Sequence, residues 1–105
     1  MQLAPKLCDE IVMKMSALPE IRRVILFGSR AREDARSRSD IDLAIDAPSD
    51  SISLWERVME IGDSLETLLP VDIVFLEQAP PGLAERIRAE GVVIYDRDVD
   101  PAKAQ

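Results

Sequence analysis

Three aspartates carry most of the chemistry this sequence can offer. Asp40 and Asp42 stand two apart at the head of the run Ile41-Asp42-Leu43-Ala44-Ile45, whose apolar residues alternate as on a half-buried strand. Side chains two apart on a strand leave the same face with their Cα atoms ~7 Å apart. Asp72 opens a second apolar run, residues 71–76, where an acid among apolar neighbours needs a partner. If the two runs lie side by side in one sheet, the three carboxylates meet. Three hard oxygen ligands suit Mg²⁺ or Mn²⁺. Without a cation the three charges repel, and one carboxyl tends to keep its proton. The plainer alternative is that Asp-x-Asp marks the wet face of a strand.

The segment just upstream bears on that choice. Residues 23–27 (RVILF) form a nearly continuous apolar run that stops at Gly28-Ser29. Glycine permits backbone conformations closed to other residues and lets a ligand approach closely. Ser29 can offer its hydroxyl and its N–H to a phosphate, and a short helix over residues 30–35 would start at the same place. Arg30 and Arg32 could add forked donors to phosphate oxygens. The alternatives are a routine turn and a solvated loop. A phosphate-binding turn beside a metal-binding acid cluster is the arrangement that serves phosphoryl and nucleotidyl transfer.

Composition removes most competing chemistries. The chain has 105 residues, no His and one Cys. Ser-His-Asp triads, His-containing zinc or haem sites, cysteine clusters and internal disulfides are therefore excluded. Cys8 falls in a helical pattern and is expected to be inert and partly buried. The formal charge is −7, and the charges divide unevenly. Residues 1–48 are balanced, residues 49–105 carry the whole excess of acid, and the arginines concentrate at 22–38. A broad basic face for nucleic acid is absent from such a distribution, whereas a local phosphate site is compatible with it. No signal-peptide pattern and no apolar run of membrane-spanning length occur, so a cytoplasmic protein without membrane or direct nucleic-acid contact is expected.

The elements that would position these residues follow from periodicity. Residues 5–18 read as an amphipathic helix on Leu7, Ile11, Met15 and Leu18, followed by Pro19. Strands are expected at 23–27, 41–45, 71–76 and 92–95. Between them, a helix capped by Ser51 or Ser53 presents Leu54, Val58, Ile61, Leu65 and Leu68 and closes at Pro70. Trp55 and Met59 widen its apolar face and are expected in the core rather than at an interface. A shorter helix opens at Pro80-Pro81-Gly82, turns Leu83, Ala84 and Ile87 inward and stops at Gly91. The order predicts one α/β (α+β) domain over residues 1–96, with a mixed sheet of about four strands. Helices would pack on one face and leave the other partly open at the acids. Residues 97–105 read as a loose polar tail.

The spacing Gly-Ser, ten residues, Asp-x-Asp, with a third Asp on a later strand, resembles the signature of the DNA polymerase beta-like nucleotidyltransferase superfamily. More closely, the chain resembles the minimal nucleotidyltransferases. The likeness runs through RVILFGSRAR, SDIDLAI, VDIV and EGVVIYD, nearly the whole length. It implies a nucleotidyltransferase fold, with Asp40, Asp42 and Asp72 as catalytic and metal-holding residues. Gly28 and Ser29 would hold the β- and γ-phosphates of a triphosphate, Arg30 and Arg32 would contact phosphate or acceptor, and Ser39 would orient the acid pair. Glu33 departs from the pattern, because relatives often carry Gly there. The resemblance further implies Mg²⁺ (or Mn²⁺), ATP as substrate, and a HEPN-domain partner, a HepT-like RNase toxin. AMP placed on a tyrosine of that toxin would silence it, in a type VII-like toxin–antitoxin pair. A small-molecule acceptor and a purely binding antitoxin are the alternatives, and homo- or hetero-oligomers are both compatible with the sequence.

Overall fold

In the computed structural model, residues 1–99 are described; the expected tail therefore falls largely outside the described residues. Alternation and β-branching produce four strands: β1 (Arg23–Phe27), β2 (Ile41–Asp46), β3 (Val71–Phe75) and β4 (Val92–Asp96). They form one mixed sheet in the order β3-β2-β1-β4. β1 runs antiparallel to both β2 and β4, while β2 and β3 are parallel. The α+β arrangement with a four-stranded mixed sheet agrees with the sequence expectation.

Period-2 alternation sorts side chains between two cores. On one face, Val24, Leu26, Ile41, Leu43, Ile45 and Phe75 pack against α1 (Pro5–Ser16) and α3 (Ile52–Ser64) through Ile11, Met15, Leu54 and Val58. Each such fully buried side chain contributes ~1.5–3 kcal/mol. On the other face, Ile25 and Ala44 meet Ala84 and Ile87 of α4 (Pro81–Glu90) and Leu76 of a single 3-10 turn, Leu76–Gln78. This second face is thus covered only in part, and Asp42 and Asp72 lie on its uncovered end. The short α2 (Ser29–Arg32) follows β1 directly.

Several boundaries differ from the periodic reading, each for a local reason. α1 stops at Ser16, where Leu18 N–H turns back to the Met15 carbonyl at 3.0 Å. α2 covers 29–32 rather than 30–35, because Glu33 adopts a left-handed conformation (φ 65°) that ends it. α3 is capped by Ser51, not Ser53: the Ser51 Oγ accepts the Leu54 N–H at 3.1 Å. It ends at Ser64, four residues before the apolar pattern does. There Glu10 reaches across from α1, accepts the Glu66 N–H at 2.9 Å and draws the chain out of the helix. Leu68 consequently stands in solvent rather than on the apolar face. Trp55 is 46% exposed, so it is not the core residue expected, and Met59 is only half-buried. Gly91 does end α4, but with an ordinary φ of −69°. Its missing side chain serves packing, since a Cβ would strike the Ile87 carbonyl oxygen and Ile25 Cγ2. Cys8 is half-buried as expected.

Candidate active site

The parallel register of β2 and β3 places Asp42 directly beside Asp72. Asp40 precedes β2 on the same side, so the three aspartates gather at one end of the sheet. Asp42 is half-buried, whereas Asp40 and Asp72 are exposed. Burial pushes the Asp42 carboxyl above the usual carboxylate range; the charges of Asp72 and then Asp40 push the same way, and Arg32 opposes them. The contrast with Asp46 is informative. Asp46 lies four residues along the same strand face and is more deeply buried. It is matched by Arg22 Nη2 at 3.2 Å and Arg23 Nη2 at 2.7 Å. One acid has been given two arginines, and the other has been given two more acids.

Among the described residues, no three acidic side chains are drawn together into a finished ligand set. The donor chemistry nevertheless suits a hard divalent cation. A cation also answers the one unfavourable feature of the array, the mutual repulsion that Asp42 feels. Closure on an ion would fall to the rotamers of exposed Asp40 and Asp72.

Gly28 sits opposite this array. Phe27 is the cross-strand partner of Asp42, so the chain leaves β1 immediately beside the Asp42 side chain. The Gly28 conformation, φ 75° and ψ −156°, is essentially closed to other residues. A Cβ at this position would collide with Asp42 Oδ2. Glycine here serves two needs at once, the turn and the close approach of backbone to carboxylate. Its carbonyl accepts the N–H groups of Ala31 and Arg32 at 3.1 and 3.2 Å, which sets Ser29 at the first turn of α2.

The two arginines of the turn differ in use. Arg30 is expected at phosphate, yet its guanidinium is committed to backbone. Nε and Nη2 donate to the Ser39 carbonyl at 3.1 and 2.9 Å, Nη2 also to Ser37 O at 3.3 Å, and Nη1 to Gln2 O at 2.9 Å. Arg30 therefore clamps the loop that delivers Asp40. Arg32 is held by Asp34 at 3.2 Å and Glu90 at 3.4 Å, partly exposed and close enough to Asp42 to act on its charge. Ser39 positions the loop: its Oγ accepts the Arg36 N–H at 2.9 Å and its carbonyl takes the Arg30 fork. Gln2, which sequence reading did not single out, pins the same loop by pairing with both the N–H and the carbonyl of Ala35 at 2.7 and 3.2 Å. A lone polar residue near a chain start carries no periodic signal. Glu33 itself adopts the left-handed conformation that ends α2, and its carboxylate accepts from the Met1 amino group at 2.9 Å.

The clamp on Asp40 can be tested directly. Arg30→Lys keeps the charge but loses the fork. Apparent metal affinity is expected to weaken ~10–100-fold, as for other residues that hold a ligand in place. Unchanged affinity with weaker triphosphate binding would return Arg30 to the phosphates.

A strand, a glycine turn, a short helix and acids on two parallel neighbouring strands define a nucleotidyltransferase core. The Polymerase beta nucleotidyltransferase family matches residues 9–100, and the chain belongs to that family. It is similar to the protein adenylyltransferase MntA of Shewanella oneidensis, 28% identical over 85 residues, 79% of this chain. The chain spans 60% of the length of that relative. Among solved structures, it resembles a toxin–antitoxin determined with AMP-PNP (26% identity, TM-score 0.68, covering 85% of this chain and 73% of the other). It also resembles a structure of tri-AMPylated Shewanella oneidensis HEPN toxin in complex with MNT antitoxin (25% identity, TM-score 0.64, covering 97% and 78%). No helix among the described residues is long and apolar enough to cross a membrane.

Proposed function

We propose that this protein is a metal-dependent nucleotidyltransferase that moves AMP from ATP to a tyrosine of a HEPN-family toxin, and so acts as its antitoxin. The observation that carries the reading is the Asp42–Asp72 register with Gly28 backbone pressed against Asp42. The similarity to MntA and to the AMPylated HEPN toxin complex supports the choice of nucleotide and acceptor.

Each residue then has a task. Gly28 lets the phosphates approach the acids, and Ser29 offers hydroxyl and N–H donors to the β- and γ-phosphates. Arg32, adjacent and exposed, contributes positive charge on exchanging Asp34 and Glu90 for phosphate. Asp40, Asp42 and Asp72 would hold Mg²⁺ or Mn²⁺, which when bound supplies charge neutralisation at the α-phosphate and on departing pyrophosphate. The tyrosine oxygen forms a bond to the α-phosphorus as the bond to pyrophosphate breaks. Asp72, exposed and at the edge of the array, is the residue positioned to receive the tyrosine proton.

The test is to incubate the protein with a HEPN protein and Mg-ATP and weigh the HEPN protein by mass spectrometry. Addition of AMP groups that stops with a chelator and resumes with Mg²⁺ is expected. Protection of RNA from the toxin without any mass gain would replace catalysis with simple binding.

A further inference from the structure

We propose that the free edge of β3 is the docking site for the acceptor protein, which adds an extended segment, basic and apolar in character, as a fifth strand. This rests on the transfer reading above and extends it to how the acceptor is held.

Among the described residues, β3 terminates the sheet and pairs on one side only. The Pro70 carbonyl accepts the Ile41 N–H at 2.9 Å, so by the alternation of a parallel ladder Val71, Ile73 and Phe75 turn their N–H and C=O groups outward. Such a row is a template for another strand. The opposite edge is managed differently, since the pairing of β4 is interrupted by a bulge between Val24 and Ile25. β3 has no bulge in its pairing and no Pro or Lys along its length.

An apolar groove lies along this same edge. It encloses about 260 Å³ between α3 and α4, lined by Trp55, Met59, Ile73, Phe75, Ala79 and Leu83. Trp55 is 46% exposed and Ile52 beside it 76% exposed. A half-exposed Trp over a groove is the residue type that anchors protein interfaces. A strand paired with β3 would point alternate side chains into this groove.

Charge selects the occupant. By helical spacing Ile52, Glu56 and Asp63 form the row of α3 next out from Trp55 and Met59, and both acids are exposed. Asp72, on β3 itself, is exposed too. The nearby Arg57 is occupied by Glu20 at 2.9 Å. The rim is therefore acidic and favours a basic segment. A second copy of a chain with formal charge −7 would bring the same acids against themselves. The edge is continuous with the site: Asp72 is on β3, so a segment paired along β3 runs past the carboxylates and can deliver a hydroxyl to them.

The experiment uses as probe the same HEPN protein as the transfer assay, with amide hydrogen exchange measured on the complex and the free protein. The Ile73 and Phe75 amides are expected to slow ~10-fold or more on binding. The variant Trp55→Ser/Glu56→Lys is expected to weaken binding ~10–100-fold while Mg-ATP binding stays unchanged. HEPN binding with β3 exchange unaltered would overturn the docking site and leave the transfer reading intact. Slowed β3 amides without AMP transfer would uphold the edge and overturn the transfer reading. Protection that grows with the concentration of this chain alone would assign the edge to a second copy and overturn the proposal. Absence of HEPN binding would overturn both.

Discussion

Asp42→Asn is expected to abolish AMP transfer, by ~10³-fold or more, and at the same time to raise the melting temperature in chelator. The second effect distinguishes a functional acid from a structural one. Burial, Asp72 and Asp40 together hold the Asp42 carboxyl above its usual range. An acid with a raised pKa binds its proton more tightly in the folded state. Ionised Asp42 therefore costs the fold stability once pH exceeds the unfolded value, and that cost fades as pH falls below it. Asn has the same shape without the charge, so the metal-free variant escapes the cost at neutral pH. Mg²⁺ should stabilise the wild type by mass action and the variant far less, so the gap closes or reverses when the metal is added. Melting curves of both proteins with chelator and with Mg²⁺ decide the matter. A variant that melts lower in chelator would make Asp42 a structural acid like Asp46, whose two arginines reward its charge.

The acids were legible because both strands announce themselves by alternation. An apolar run beginning Val71-Asp72 and a run containing Asp42 predict carboxylates on matching faces, and parallel pairing in register brings them together. Gly28 was legible too, since a glycine that abruptly ends a buried run marks a turn the other residues cannot make. What alternation cannot express is tertiary competition for one group. Arg30 and Arg32 look alike in sequence, but only the fold shows that Arg30 finds the carbonyls of Gln2, Ser37 and Ser39 within reach. The apolar pattern of α3 continues to Leu68, yet Glu10, fifty-six residues from Glu66 in sequence, ends the helix early. Trp55 fits a core stripe by spacing alone. Its exposure follows from β3 being an edge strand, which is a property of strand order and not of the local sequence.

Gly28→Ala is expected to damage stability and catalysis together, and the reason can be divided into two parts. The backbone part is the φ 75°, ψ −156° conformation, which costs a non-glycine residue ~1–3 kcal/mol. The contact part is the collision of the new Cβ with Asp42 Oδ2, which moves either the turn or the carboxylate. A domain of this size loses roughly 4–8 °C of melting temperature per kcal/mol. Under the proposed function, a displacement of about 1 Å at this turn is expected to cost transfer ~10²-fold. A double-mutant cycle separates the parts. In an Asp42→Ala background the carboxylate is gone and only backbone strain remains, so the stability cost of Gly28→Ala should shrink. Equal costs in the two backgrounds would mean that the glycine serves the turn alone. A smaller cost without Asp42 would mean that the glycine exists as much for the carboxylate as for the backbone, as the close approach of a Cβ to Asp42 Oδ2 leads one to expect.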